Sequence, residues 1–277
     1  MTAYIGIDIG GTKIRLTHTD HPDKVGETVD LPTPASFVVA RHHIEEVIDR
    51  WMIKRPIHAI GVAAPGPVDT KRGILTHPSH IPWRNAEILP WLNARYRCPS
   101  VLAHDATAAG VCEARLGTGK KHRFILYVTI STGIGSALIL DGNPIPGPHN
   151  PEGGRILLKT PAERFEKIAS GTAIRHRYGR IAAQIRSRRV WREISEEIAL
   201  GLYDLILATD PEIVILGGGV AVHYKKFIKE VRSAMQRNRP FYTLPPIKQA
   251  QYTEHAPLLG AMLLADDTAR HHAQNTH

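Results

Sequence analysis

Asp8, Gly10, Gly11, Thr12 and Lys13 put a carboxylate, two glycines, a hydroxyl and an ammonium group between two apolar runs. Amides in such a turn point outward at an anion, the Thr12 hydroxyl adds a donor, and Asp8 can hold a metal-bound water. The chemistry is phosphate binding, although Gly-Gly at a hairpin tip also serves geometry alone. A second copy shifts the balance. Ser131-Thr132-Gly133-Ile134-Gly135 again joins two β-rich runs, and residues 7–14 and 128–135 share strand, hydroxyl-bearing turn and strand. The chain reads as internally duplicated, with two hairpin tips able to grip a polyphosphate from both sides.

Other groups fall where strands end. His104-Asp105 follows a short apolar run and starts an alanine-rich helix, a position for either a cap or a catalytic carboxylate. Gly217-Gly218-Gly219 ends a buried run, opens a helix and would admit the flat face of a nucleotide, or only make a tight crossover. Pro65-Gly66-Pro67-Val68-Asp69 is a rigid loop. The loop holding His80 and Asn85, and Gly147 to Arg155 with Glu152 and Arg155, are polar segments suited to substrate contact.

The elements that must position these groups follow from periodicity. Strands are expected at 4–9, 13–19, 27–31, 57–63, 100–103, 124–130, 136–140 and 211–216. Helices are expected at 36–54, 86–96, from 105, at 162–189 and 191–208, and from 257. Gly10-Gly11 is expected to turn with φ above zero.

With 277 residues, 43% of them hydrophobic, the chain suits two domains with a core each. No apolar span or signal-like start is present, so a cytoplasmic protein without a membrane partner is expected. Cys98 and Cys112 form no ligand or disulfide pattern and read as reduced packing residues. The sixteen histidines show no ligand spacing either. His271, His272 and His277 lie in a polar stretch expected to fray. A net charge of +9 could steer an anionic substrate. Its densest runs, 120–123 and 175–189, read as a linker and a solvated helix face, and no nucleic-acid motif accompanies them.

Taken in order, these motifs are similar, over nearly the whole chain, to the ROK sugar kinases of the actin-like ATPase superfamily. The resemblance is carried by Gly6 to Lys13, Gly61 to Asp69, His104 to Ala109, Ser131 to Gly135, Glu152 to Arg155, Leu216 to Gly219 and Leu259-Gly260-Ala261. It implies an α/β fold of two ribonuclease-H-like lobes with an interlobe cleft. The N-terminal lobe would be 1–118, with the C-terminal helix 257–270 packing back on it, and the C-terminal lobe 119–256. It further implies transfer of the γ-phosphoryl group of Mg-ATP to a hexose hydroxyl, commonly the 6-OH. Asp105 would be the general base and Asp8 would organise the magnesium through water. Gly10, Gly11, Thr12 and Lys13, with Thr132 and Gly133, would hold the phosphates, and Gly217, Gly218 and Gly219 the nucleoside. Pro65, Gly66, His80, Asn85, His104, Asp105, Glu152 and Arg155 would line the sugar pocket.

Three positions depart from the family pattern. Arg155 stands where members have the histidine of Glu-x-Gly-His, and no zinc-binding cysteine cluster follows, so no zinc is expected in its usual form. His104 replaces the asparagine of an Asn-Asp pair, and Ser131 replaces a glycine. Arginine only donates, whereas neutral histidine also accepts, so sugar recognition should differ from that of glucokinases. A packing role, bracing a loop over Glu163 or Glu166, is the alternative for Arg155. Leu31-Pro32-Thr33-Pro34, residues 132–138 and the short link after Glu152 also resemble the zinc-free polyphosphate glucokinases, making polyphosphate the rival donor. A catalytically weak sugar-binding regulator is the reading from another class. Which hexose is used, and whether the chain forms a homodimer, are left open by these residues.

Overall fold

The structure, a computed structural model, describes residues 2–53, 55–78, 80–145, 147, 150–158, 163–238 and 243–275. The chain divides into two compact units, Met1–Cys112 with Pro146–Asn150 and His255–His277, and Glu113–Ile145 with Pro151–Glu254.

In the first unit the elements run β1 (Ala3–Ile9), β2 (Lys13–Thr19), β3 (Glu27–Pro32), α1 (Phe37–Met52) and β4 (Ile57–Ala64). Then come β5 (Val68–Asp69), β6 (Ile74–Leu75), β7 (Ala86–Glu87), α2 (Ile88–Tyr96), β8 (Ser100–His104) and α3 (Asp105–Arg115), whose last three residues count with the second unit. The main sheet has the order β3-β2-β1-β4-β8. Its first three strands are antiparallel, and β1, β4 and β8 are parallel. Alternation along β1 turns Ile5, Ile7 and Ile9 into a core shared with Ile44, Val47 and Ile48 of α1, which repeat at helical spacing. The small sheet β5-β6-β7 is absent from the sequence reading, because two-residue strands carry no period.

The second unit continues with β9 (Phe124–Ile130), β10 (Ile134–Leu140), β11 (Asn143–Pro144), α4 (Phe165–Ala169), α5 (Gly171–Tyr178) and α6 (Arg188–Thr209). It ends with β12 (Ile213–Gly217), α7 (Gly218–Ala221), α8 (Tyr224–Asn238) and β13 (Ile247–Gln249), and α9 (Ala256–Asn275) then returns to the first unit. The sheet order β11-β10-β9-β12-β13 repeats that of the first unit, with antiparallel and parallel pairs in the same places. Thus the duplication drawn from two hairpins extends through both sheets. The core packs Leu126, Val128, Val214 and Leu216 against Ile194, Ile198, Leu202 and Ile206 of α6 and Phe227 and Val231 of α8. The helix expected to open at Gly217-Gly218-Gly219 is the short α7, followed by α8, and strand β13 is a further element that the sequence reading does not contain.

One expected helix is broken. Its first residue, Ala162, lies outside the described residues, and from Phe165 the chain forms α4 and α5 rather than one rod. Ser170 caps α5 by accepting the Ala173 amide, and Gly179 ends it in the left-handed region at φ +64°. Arg188 and Arg189 accordingly belong to α6, whose N-cap is Ser187. At the other end α9 is helical through His271 and His272, where fraying was expected, and His277 lies outside the described residues. Among the described residues no helix is long and apolar enough to cross a membrane.

Helix α9 covers the second face of the first sheet through small residues. Ala59, Ala63 and Ala103 meet Ala261, Ala265 and Ala269. A Cβ on Gly260 would overlap the Ala108 carbonyl of α3, and one on Gly61 would overlap the Ala261 carbonyl. Backbone meets backbone, so neither side can yield by rotating a side chain. Gly260→Ala is therefore expected to destabilise the protein by roughly 1–3 kcal/mol, read as a melting temperature lower by several degrees.

Candidate active site

The sheet register of the first unit assembles most of the sequence-selected groups. Asp8 pairs with Ala63, Ala63 with Ala103 and Ala64 with His104, so Asp8, the Pro65-Gly66 loop and His104-Asp105 share one sheet end. That end carries the C-termini of the parallel strands, where open α/β sheets place their ligands. The Asp105 side chain is 39% exposed, and its Oδ1 accepts the Ala106 amide at 2.6 Å. His104 is buried, with Nε2 3.4 Å from Asp105 Oδ1. Its Nδ1 is buried too and has no hydrogen-bond partner among the described residues. Burial first, and then the charge of Asp105, push the Asp8 carboxyl up to about 7.

The Gly10-Gly11 turn corrects one expectation. Among the described residues positive-φ glycines occur at 73, 142, 179 and 218, so neither glycine of this turn needs a left-handed backbone. Close approach is the reason instead. A Cβ on Gly10 would come within 2.9 Å of the Lys13 carbonyl oxygen, and one on Gly11 within 2.9 Å of His80 Cβ and 3.0 Å of its carbonyl oxygen. The structure thus brings His80, exposed, against the phosphate-type turn. Buried Trp83, whose Nε1 donates to Pro34 O at 2.9 Å, anchors that loop, while Asn85 is exposed at φ +49°. Thr33 pins the turn from just past the end of β3, its amide donating to Thr12 O and its hydroxyl to Gly10 O at 2.7 Å.

Two residues of this unit were not singled out in the sequence, Asn150 within the polar 147–155 segment and Asp30. Asn150 accepts a hydrogen bond from Thr107, two residues after Asp105, at 3.2 Å. Pro148 and His149 beside it lie outside the described residues. Asp30 binds Lys13 and Arg15 beside the turn. Alternating charge on adjacent strands is the signal that could have found it.

In the second unit the Thr132-Gly133 turn closes with Ser131 N on Gly133 O at 2.9 Å and leans on the start of α5. Gly171 N donates to Ser131 O at 2.7 Å, a contact a Cβ on Gly171 would crowd at the same distance. Of the three glycines after β12, Gly217 abuts Tyr127, and Gly218 has φ +84° with Thr129 Oγ1 2.6 Å from its would-be Cβ. Gly219 faces open space. Glu152 leads into a single 3₁₀ turn, Gly153–Arg155, laid on β10, where Ser136 Oγ accepts the Gly153 amide and donates to Pro151 O. Arg155 Nε donates to Glu152 at 3.2 Å, forming an ion pair at the end of that turn.

Asp8 and Asp105 offer hard oxygens and too little positive charge between them, which fits a divalent cation such as magnesium. Among the described residues no cluster of three or more His, Cys, Asp or Glu side chains could hold a metal. Magnesium at Asp8 would draw its remaining ligands from water and phosphate, as that ion commonly does.

Two repeated mixed sheets, each with a glycine-bearing hairpin tip, and a carboxylate at a parallel strand end define a phosphoryl-transfer type of α/β protein. The ROK family model matches residues 4–268, and the chain belongs to the ROK family. A provisionally named fructokinase of Bacillus subtilis is 31% identical over 78% of this chain and 76% of its own length. A ROK family glucokinase from Streptomyces griseus, solved with glucose and AMPPNP, is 25% identical with TM-score 0.81, covering 96% of this chain and 99% of that one. The inorganic polyphosphate/ATP-glucomannokinase of Arthrobacter sp. strain KM is 28% identical with TM-score 0.74, over 96% and 99%. The actin-like two-lobe α/β class expected from the motifs is the class of these folds.

Proposed function

We propose that this chain is an ATP-dependent hexose kinase that phosphorylates a sugar hydroxyl, the one on C6, with Asp105 as general base. The observation that carries the reading is the placement of a half-exposed Asp105 at the sheet end shared with Asp8, whose carboxylate is short of positive charge. Phosphoryl transfer asks the protein mainly to position reactants and stabilise charge, with an Asp accepting the proton of the attacking hydroxyl. In the first unit, the Gly10-Gly11 turn, Thr12 and Lys13 would bind phosphate. Pro65, Gly66, His80, Asn85 and His104 would contact the sugar. In the second unit, Thr132 and Gly133 would bind phosphate, Gly217 to Gly219 the nucleoside, and Glu152 and Arg155 the sugar. Magnesium supplies charge neutralisation of the donor's phosphates when bound, and Asp8 would hold it through water. Arg155, paired with Glu152, fills the place of a zinc-binding histidine, so no zinc belongs to the reading.

Polyphosphate is the second donor to consider, supported by the glucomannokinase relative's stated donors and the +9 charge. The test is a coupled assay over hexoses and N-acetylhexosamines, run separately with ATP and polyphosphate. Turnover of at least one hexose with ATP is expected. Faster turnover with polyphosphate would replace the donor, and none with either would remove the kinase reading.

Arg155→His is expected to raise KM for the true sugar or reorder the hexoses, leaving KM for the donor nearly unchanged, because a donor-only fork becomes a group that can also accept. A lower melting temperature with the sugar ranking intact would assign Arg155 to its ion pair alone.

A further inference from the structure

Asp30 has no part in the reaction as described, yet it governs what Arg15 binds. In the antiparallel register of β1, β2 and β3, Asp8 stands opposite Arg15 and Arg15 opposite Asp30. One guanidinium therefore lies between two carboxylates, each at a cross-strand Cβ separation of roughly 4.5–5.5 Å. Arg15 grips the outer one. Its Nε donates to Asp30 Oδ1 at 2.7 Å and its Nη2 to Oδ2 at 3.0 Å. Lys13 Nζ adds a bond to the same Oδ2 at 2.9 Å.

Charge is thus divided unequally along the row. Asp30, on the edge strand, holds two cations, while Asp8 makes no hydrogen bond or ion pair among the described residues. Arg15 and Lys13 hold the carboxyl of Asp30 well below the usual carboxylate range. A strand-edge ion pair contributes little to stability when it is partly exposed, so bracing is a weak explanation for a two-cation clamp here. The Arg15 side chain is only 11% exposed, and Asp8 is its directly opposite neighbour on β1.

We propose that Asp30 is a positioning residue for the metal–phosphate site: by occupying Arg15 and Lys13 it keeps the Asp8 carboxylate open to a divalent cation. Without Asp30, Arg15 closes onto Asp8 and its two-pronged bond competes for the oxygens that a hydrated cation uses. The inference rests on the kinase reading in which Asp8 carries magnesium.

Manganese serves as the spectroscopic probe. Free Mn²⁺ is titrated by electron paramagnetic resonance against the full chain with AMPPNP present, for wild type, Asp30→Ala, Asp30→Glu and the double variant Asp30→Ala/Arg15→Met, with melting temperatures alongside. Asp30→Ala is expected to weaken Mn²⁺ uptake about tenfold. Asp30→Glu should stay near wild type, and the double variant should regain most of the loss because the competing guanidinium is gone. Unchanged uptake in Asp30→Ala, with or without a lower melting temperature, overturns the proposal and leaves Asp30 an edge brace. A double variant no better than the single one overturns it as well. No uptake by wild type would instead sink the reading of Asp8 as the magnesium residue.

Discussion

Asp105→Asn is expected to fold with an unchanged melting temperature and to lose turnover by about 10²- to 10⁴-fold. The amide keeps the size of the side chain but cannot take a proton from the attacking hydroxyl. Folding should survive because the carboxylate is partly exposed and sits where α3 begins, with Oδ1 on the Ala106 amide, a bond the amide oxygen of Asn can still accept. Sugar binding measured by calorimetry should change little beside the loss in kcat. A variant retaining near wild-type kcat would remove Asp105 as the base, whatever its affinity.

The second large effect is at Asp8, where activity and stability should move apart. Asp8→Asn is expected to lower turnover about 10- to 100-fold by weakening the magnesium shell. The same change should raise the melting temperature of the free protein at pH 8. Burial and Asp105 raise the folded carboxyl to about 7, so the fold favours the protonated form. An unfolded Asp titrates near ~3.9. The stabilising contribution of that proton is complete below the unfolded value and is lost as pH rises through the folded one. Wild type at pH 8 therefore carries a partly buried charge that Asn lacks, a difference of roughly 1–3 kcal/mol after screening. Melting curves from pH 4.5 to pH 8.5, without donor or metal, check it. The gap between variant and wild type should widen with pH, and a gap that is flat or reversed would mean that Asp8 is compensated in the free protein.

The arginine-rich stretch after α4 shows where local reading falls short. Its charges resemble one solvated helix, yet Ser170, Gly171 and Gly179 cut it, and Arg177 pairs with Glu197 on another helix, α6. The α5 start is set by the Ser131 carbonyl, far away in sequence, which receives the Gly171 amide. Periodicity does not report a partner forty residues distant. Likewise the pairing of Arg155 with Glu152 follows from the 3₁₀ turn between them, which periodicity does not report.

What the sequence determined by itself was the repeated strand–turn–strand pattern and the order of its chemical groups. Alternating isoleucines, glycines at tips and strand ends, and Asp8 and Asp105 in their motifs are local properties of the chain, legible because side-chain period and turn chemistry act over a few residues. Only the tertiary structure decided which groups meet. Register across β1, β4 and β8 put Asp8 and Asp105 at one sheet end, and register across β1, β2 and β3 set Arg15 between Asp8 and Asp30, with its hydrogen bonds on Asp30. The glycines of the first turn owe their place to His80 and the Lys13 carbonyl, not to a positive φ. Pairing between distant strands and the close approach of distant backbones depend on how the whole unit packs, and no short window of sequence contains both partners.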